Sequence, residues 1–496
     1  MSHTKNLDVL EISCLSPAVD GVYTATVSFG CADRWFVKIS PPTMQHEDVL
    51  GLYFTAPAQV IASKIVTRDE VRGALRNYGK NLKDQVCVGA PLHDWRTLGS
   101  LRIVGPPGLL SLYWETMEDP FVSSRCIGQH RDVVRIEYPH AEPHPIAVPT
   151  DSPRLSVLVV QTSNAQPGLP SVAGTLLHNL ANAFPRRCLS VSVRNDADWE
   201  LVHRELTQRP RRYHMVVFDG RILSLTKEEV ETIDEEERAP KGARDHWLYS
   251  GFDGHRNCLL FNWPRRTDRF DVVDDRDFAS LIRTAQVPLV VLTHGEPAEC
   301  GVAPTTTQRL LDAGVQAVMS PVHDMHPDAS RIFLEALFDA FLREKRPLAD
   351  AATTARMALA SNSSRGSPPQ TVPDWVLPRL FQRSPADLVL KTAPLTHDVM
   401  LCMHVSMIPR ADLSAILACI KRPDSFVDLG QALPCSTGMR QPHQLHGCQT
   451  PSEVVDVWAE DCGEKATIAV LREALVHRFY AAAEALDEWI RRSLHH

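Results

Sequence analysis

No stretch of the chain approaches the roughly 18 to 20 consecutive apolar residues needed to cross a bilayer, so no membrane partner is expected. The first residues, MSHTKNLDVLEIS, lack the basic and then apolar order of a signal peptide. A basic surplus is missing as well. Lysine and arginine number 52 against 60 aspartates and glutamates, and a net charge of −8 offers little to a phosphate backbone, which disfavours nucleic acid as the main partner. Cysteine is too sparse for a disulfide scaffold: 12 scattered residues without an export signal read as reduced thiols and point to a cytoplasmic protein. Cys435, His443, His446 and Cys448 do fall close together, but their spacing fits no familiar zinc pattern and reads as a polar loop. His323 and His326 read as part of a loop before a helix. Neither a metal nor a cofactor is expected.

What the chain has in quantity is apolar material. At 496 residues, 44% of them hydrophobic, it is too long for one ordinary core and rich enough for two or three. Residues 1–50 form a β-rich segment, in which DGVYTATVSFGCADRWFVKIS (20–40) alternates apolar and polar side chains, as two half-buried strands joined by a turn at Gly30 to Asp33 would. Within 51–153, TRDEVRGALRNYGKNLKDQV (67–86) has helical spacing. LGSLRIVGPPGLLSLYWETMEDP (98–120) predicts a strand, a Gly/Pro turn and a second strand, before a proline-rich linker from Pro139 to Pro153.

Residues 154–395 alternate apolar runs with amphipathic helices. The runs are LSVLVVQTS, LSVSVRN, YHMVVFDG, CLLFNW, PLVVLTHG and AVMSPV, and the last helix is PDASRIFLEALFDAFLRE. Continuous apolar runs between helices predict an α/β fold, a largely parallel sheet with helices on both faces. Between YHMVVFDG and CLLFNW an insertion (227–238) carries seven carboxylates from Glu228 to Glu237; it reads as a solvated loop, with an acidic docking segment as the alternative. SNSSRGSPPQTVPDW (361–375) reads as a flexible loop. From 405 to 496 the spacing is helical throughout, as an all-α bundle requires.

Four segments occur in a suggestive order. LYWETMEDP (Leu112 to Pro120) is similar to a Pro-Trp-Glu-x-Leu segment, with Tyr113 in the proline's place. DAGVQAVMSPV (Asp312 to Val322) is similar to an Ala-Gly-Val-x-Ala-Val strand, LADAATTARMAL (Leu348 to Leu359) to a helix carrying Ala-x-x-x-Ala-Arg, and WVLPRLF to a closing segment. Together, from roughly residue 50 to 392, they resemble the CHAT family, caspase- and separase-related cysteine proteases of clan CD. The resemblance implies a caspase-like fold with a catalytic histidine and cysteine at neighbouring strand ends.

Neither residue is present. The family's His-Phe-x-Gly-His-Gly pattern is matched by Val217, Phe218, Asp219, Gly220, Arg221 and Ile222, so Arg221 stands at the general base. Its Leu-x-x-Cys-Glu pattern is matched by Leu292, Thr293, His294, Gly295 and Glu296, so Gly295 stands at the nucleophile. Glycine offers nothing to attack with, and an arginine holds its proton throughout the physiological range and cannot take one from a thiol. The resemblance therefore implies a pseudo-protease. Asp219, Arg221, His294 and Glu296 would share the carboxyl ends of adjacent strands, where open α/β sheets bind ligands; they would form either a salt-bridged plug or a cleft that senses a peptide or other ligand. The alternative is an active cysteine endopeptidase with a displaced dyad, Cys300 with His255 or His294.

The helical segment from Leu413 to Leu486 resembles a death domain. Phe426, Leu429 and Leu433 are core candidates, and Trp458, Gly463, Ala466, Thr467, Leu471 and Leu475 match the pattern of the late helices, with Thr467 as an N-cap. Any small helical bundle with a tryptophan in its core is the plainer reading. The two resemblances together imply a non-catalytic adaptor or scaffold in cell-death or innate-defence signalling. Its expected partners are proteins, among them an active protease and a death-fold protein, and homotypic contacts of this kind can build homo-oligomers.

Overall fold

Apolar runs and alternating segments from residue 8 to residue 382 join one sheet of eleven strands. The computed structural model describes residues 8–14, 18, 21–30, 33–41, 49–50, 53, 67–90, 97–122, 125–137, 144–148, 155–162, 172–183, 189–208, 211–225, 256–263, 266–295, 305–365, 370–371, 373–390, 400–401, 403, 405, 408, 410–421, 423–433, 450–462 and 465–494. Two units make up the chain, one of residues 1–149, 156–181 and 191–391, the other of 392–496 with 150–155 and 182–190.

In the sheet unit, β1 (Asp8–Ser13), β2 (Tyr23–Phe29) and β3 (Asp33–Ile39) form an antiparallel meander. Gly30 makes the β2–β3 turn at a φ of +62°, a conformation that glycine adopts without strain. β1 runs parallel to β4 (Leu98–Gly105), and β4 to β5 (Asp132–Glu137), so the N-terminal strands extend the main sheet. After them come β6 (Leu155–Gln161), β7 (Leu189–Arg194) and β8 (Met215–Asp219). A separate antiparallel sheet contains β9 (Ile222–Leu225), β10 (Arg256–Trp263) and β11 (Arg266–Asp274). β12 (Leu289–Leu292) and β13 (Ala317–Pro321) follow, then the short hairpin of β14 (Ser364–Arg365) and β15 (Gln370–Thr371), and β16 (Pro378–Gln382).

The main sheet has the order β3-β2-β1-β4-β5-β16-β13-β12-β8-β6-β7. β6, β8, β12 and β13 are mutually parallel, whereas β16 enters antiparallel to β13 and parallel to β5. Two parallel blocks of opposite direction therefore meet at the β13–β16 pair. The expected α/β class and largely parallel sheet are what the chain forms.

Helices α1 (Arg68–Cys87), α2 (Val172–Ala183), α3 (Trp199–Gln208), α4 (Asp275–Thr284), α5 (Thr306–Asp312), α6 (Pro327–Phe338) and α7 (Leu348–Ser361) belong to this unit. Thr67 and Glu70 form a capping box at the start of α1, satisfying two of its orphan N–H groups. On one face of the sheet Leu158, Val160, Val216, Phe218, Val290, Leu292 and Val318 pack with Val202, Leu206, Phe278, Ile282 and Leu310 of α3, α4 and α5. The alternate residues Val157, Val159, Val217, Val291 and Met319 are at most 1% exposed, so the other face is covered too. Burial on both sides is why these strands read as unbroken apolar runs.

Two expectations change. CLLFNW does not join the parallel sheet: it lies in β10, paired with β9 and β11, because the chain turns at Gly220 straight after β8 and builds a small antiparallel sheet beyond the strand end. LYWETMEDP is no strand. Pro106 and Pro107 start a helical turn at Pro107–Leu110, as prolines at a helix start do, and a 3-10 turn at Trp114–Thr116 follows, with Trp114 and Glu115 buried. Within the described part of 361–375, Arg365 donates to both carboxylate oxygens of Asp374, at 2.7 and 3.0 Å.

From residue 400 onward the described residues of the other unit form helices joined by turns. α8 (Arg410–Ile416), α9 (Pro423–Ala432), α10 (Pro451–Cys462), α11 (Ile468–Arg478) and α12 (Tyr480–Leu494) enclose a core that buries Leu429, Leu433, Trp458, Leu471 and Leu475, with Phe426 packed at its margin. Thr467 caps α11 through the N–H of Val470. Phe479, at φ −132° and ψ 56°, breaks the long helical run into α11 and α12. Gly463 lies outside the described residues.

Candidate functional site

β6, β8, β12 and β13 end side by side, and the residues just beyond those ends form the site. Val217 is no part of it: it sits within β8, wholly buried. Gly220 turns the chain where a Cβ would lie 2.3 Å from the Thr162 hydroxyl and 2.8 Å from the Phe218 ring, so glycine alone fits. Past it, Arg221 is exposed. Thr293, on the neighbouring strand end, donates its hydroxyl to Asp219 Oδ1 at 2.6 Å and its N–H to the Phe218 carbonyl at 3.1 Å.

The loop after β13 supplies the next piece. Asp324 Oδ1 accepts the Gly295 N–H at 3.0 Å and lies 3.2 Å from His294 Nδ1, while His294 Nε2 lies 3.9 Å from Asp219 Oδ1. His294 is thus bracketed by two carboxylates. Desolvation pushes the Asp324 carboxyl upward, but the His294 hydrogen bond and charge, the Gly295 N–H and the Arg221 charge together hold it below the usual carboxylate range. Asp219, Arg221 and His294 gather at the strand ends as the sequence suggests; Glu296, Cys300 and His255 lie outside the described residues.

Gly295 has no room to be anything else. A Cβ there would meet the carbonyl carbon of His323 at 2.3 Å, its Cα at 2.4 Å and the Asp324 nitrogen at 2.7 Å. These are backbone atoms and cannot swing aside. The volume a nucleophilic side chain would occupy is filled by residues 323–324. His323, given no role from sequence, stands beside that point with Nε2 3.3 Å from the Tyr113 hydroxyl. Burial, and after it the charge of Arg379, push its pKa down to about 4, which makes it a neutral imidazole near pH 7.

Chemically the arrangement offers little. The Thr293 hydroxyl is buried and already bonded to a carboxylate. The thiols of Cys87 and Cys126 are pushed up to about 11, chiefly by burial, and keep their protons near neutrality. Among the described residues no three His, Cys, Asp or Glu side chains group as metal ligands, and no helix is long and apolar enough to cross a membrane. The cluster from Cys435 to Cys448 and the acidic insertion at 227–238 lie outside the described residues. No protein-family model matches the chain, and no curated protein matches it.

Behind the strand ends lies a second constellation. Glu115 of LYWETMEDP accepts two hydrogen bonds from Arg135 on β5, at 2.5 and 2.7 Å, and its Oε1 is 3.8 Å from Nη2 of Arg356, the arginine of LADAATTARMAL. All three side chains are fully buried. Arg135 also donates to the carbonyls of Leu110 and Leu112, so one guanidinium fixes the whole turn above β5. Burial pushes the Glu115 carboxyl upward, and the charge and hydrogen bonds of Arg135 more than reverse it. Sequence reasoning missed Arg135, because a charge in the middle of DVVRIE breaks the apolar run that marks a buried strand.

Proposed function

We propose that the chain is a catalytically inactive, CHAT-like pseudo-protease carrying a death-like bundle, and that it acts as an adaptor or scaffold in cell-death or innate-defence signalling in the cytoplasm. The observation that carries this reading is the filled space at Gly295: the position of the nucleophile lacks a thiol, and the backbone of 323–324 leaves no place for one. A caspase-like arrangement of the α/β sheet and a death-fold arrangement of the helices belong to the same proposal. Asp219, Thr293, His294 and Asp324 then act as a polar plug that holds neighbouring strand ends together.

On this reading the work is done by surfaces. Arg410 and Arg478 expose 70% and 51% of their side chains on the helical unit, paired loosely with Asp456 and Asp428 across rim distances of 3.5 and 3.4 Å. Exposed pairs of this sort contribute little to stability and are available for a partner's charges. The test is co-precipitation of partners by the full chain from its own cells. Loss of partners on Arg410→Glu with Arg478→Glu, while Cys300→Ala and His294→Ala keep them, supports the adaptor. If Cys300→Ala abolishes the cellular effect and the charge reversals do not, the reading fails.

A further inference from the structure

Three arginines in the sheet unit are buried against one glutamate. Arg135, Arg356 and Arg379 are 0%, 0% and 5% exposed, and Glu115 is shared between the first two. Arg379, on β16, lies with its guanidinium 4.9 Å from the centre of the Tyr113 ring. Its Nε and Nη2 have no hydrogen-bond partner among the described residues, and Arg356 leaves Nη1 in the same state. Stacking on a tyrosine face offsets part of a cation's desolvation; it satisfies neither donor. A water molecule could satisfy the donors and would leave the charge unbalanced. An anion does both.

Shape narrows the choice. A guanidinium presents parallel N–H groups in a planar fork that suits two oxygens of one oxyanion. Above Arg379 stands Tyr113, whose hydroxyl meets His323, and His323 leads to the exposed Asp324 at the strand ends. We infer that Arg379 holds a small oxyanion, a phosphate or a simple carboxylate, beneath the Tyr113–His323 roof. Burial, with the nearby charge of Arg135 next in size, pushes the Arg379 pKa down to about 10 against the opposing pull of Tyr113 and Glu115. The neutral His323 adds no further repulsion. None of this depends on the pseudo-protease reading, and the inference stands if the chain proves to be a protease.

The test follows the melting temperature of the sheet unit in the full chain, for wild type and Arg379→Met, as inorganic phosphate replaces chloride at constant ionic strength. In chloride the variant melts no lower than wild type, because a buried cation with two unsatisfied donors has been removed. With phosphate the wild-type Tm rises saturably by about 2–4 °C, and the variant does not move, so the two curves cross. An acetate series identifies a carboxylate site if acetate saturates where phosphate does not. Parallel curves for wild type and variant, or no saturable rise with either anion, overturn the inference. Calorimetric titration of wild type with phosphate and with acetate covers the case in which Arg379→Met fails to fold: one saturable site per chain supports the proposal, and its absence for both anions refutes it. Arg379→Lys keeps the charge and loses the fork, so its affinity falls at least about tenfold.

Discussion

Two constellations in the sheet unit, one around Glu115 and one at the ends of β8 and β12, are closed in different ways. At Glu115 the closure is ionic: Glu115 from one segment and Arg356 from another meet beside Arg135, with every charged group out of water. At the ends of β8 and β12 the closure is steric: Arg221 is exposed, and the backbone of 323–324 fills the space beside Gly295. The first is a joint on which the fold depends. The second is held by hydrogen bonds among Asp219, Thr293, Gly295 and Asp324 and by the packed backbone of 323–324.

If that contrast is right, substitutions at the two places should differ in size and in kind. Glu115→Ala strands Arg135 and Arg356 as buried charges and should cost about 3–5 kcal/mol, read as a fall in the urea midpoint of the sheet unit; an unchanged midpoint would mean that the joint is not structural. Gly295→Cys should cost about 1–3 kcal/mol through overpacking against a backbone that cannot yield. Even combined with Arg221→His it should leave fluorogenic peptides uncut, and measurable turnover by that double variant would erase the distinction.

A smaller effect separates the two places by pH. Glu137, 8% exposed on β5, has its pKa raised to about 7, first by burial and then by Asp312. Its contribution to stability is present below pH 4.5 and is lost as pH rises through about 7, so Glu137→Gln should stabilise the unit by about 2 kcal/mol near pH 8 and flatten that slope. His323 works in the opposite direction: with a pKa of about 4, its contribution is present above 6.5 and is lost as pH falls through 4. His323→Gln should flatten only the acid limb of the unfolding profile, by the least of these changes.

How much of this could be read in advance follows from where the signals lie. β6, β8, β12 and β13 are legible because burial on both faces leaves unbroken apolar runs, and the strand-end positions of Asp219, Arg221 and His294 come with them. β5 is illegible because Arg135 interrupts its run, and the need for that arginine exists only once Glu115 is folded over it. The partners of CLLFNW are illegible for a different reason: an apolar run of that length does not say whether its neighbours are parallel or antiparallel. Asp324 and His323 reach the site through the adjacency of β12 and β13, which no local pattern encodes. A reader who placed the β13 loop next to the end of β12 would have found both.

The proposed pseudo-protease role requires that the strand-end site hold no thiol nucleophile. It is tested most directly by intact-mass measurement of the full native chain after incubation with a panel of electrophilic peptides. No one-to-one adduct is expected at Cys300. A single adduct on Cys300 that disappears in His255→Ala or His294→Ala would contradict it and make the protein an enzyme.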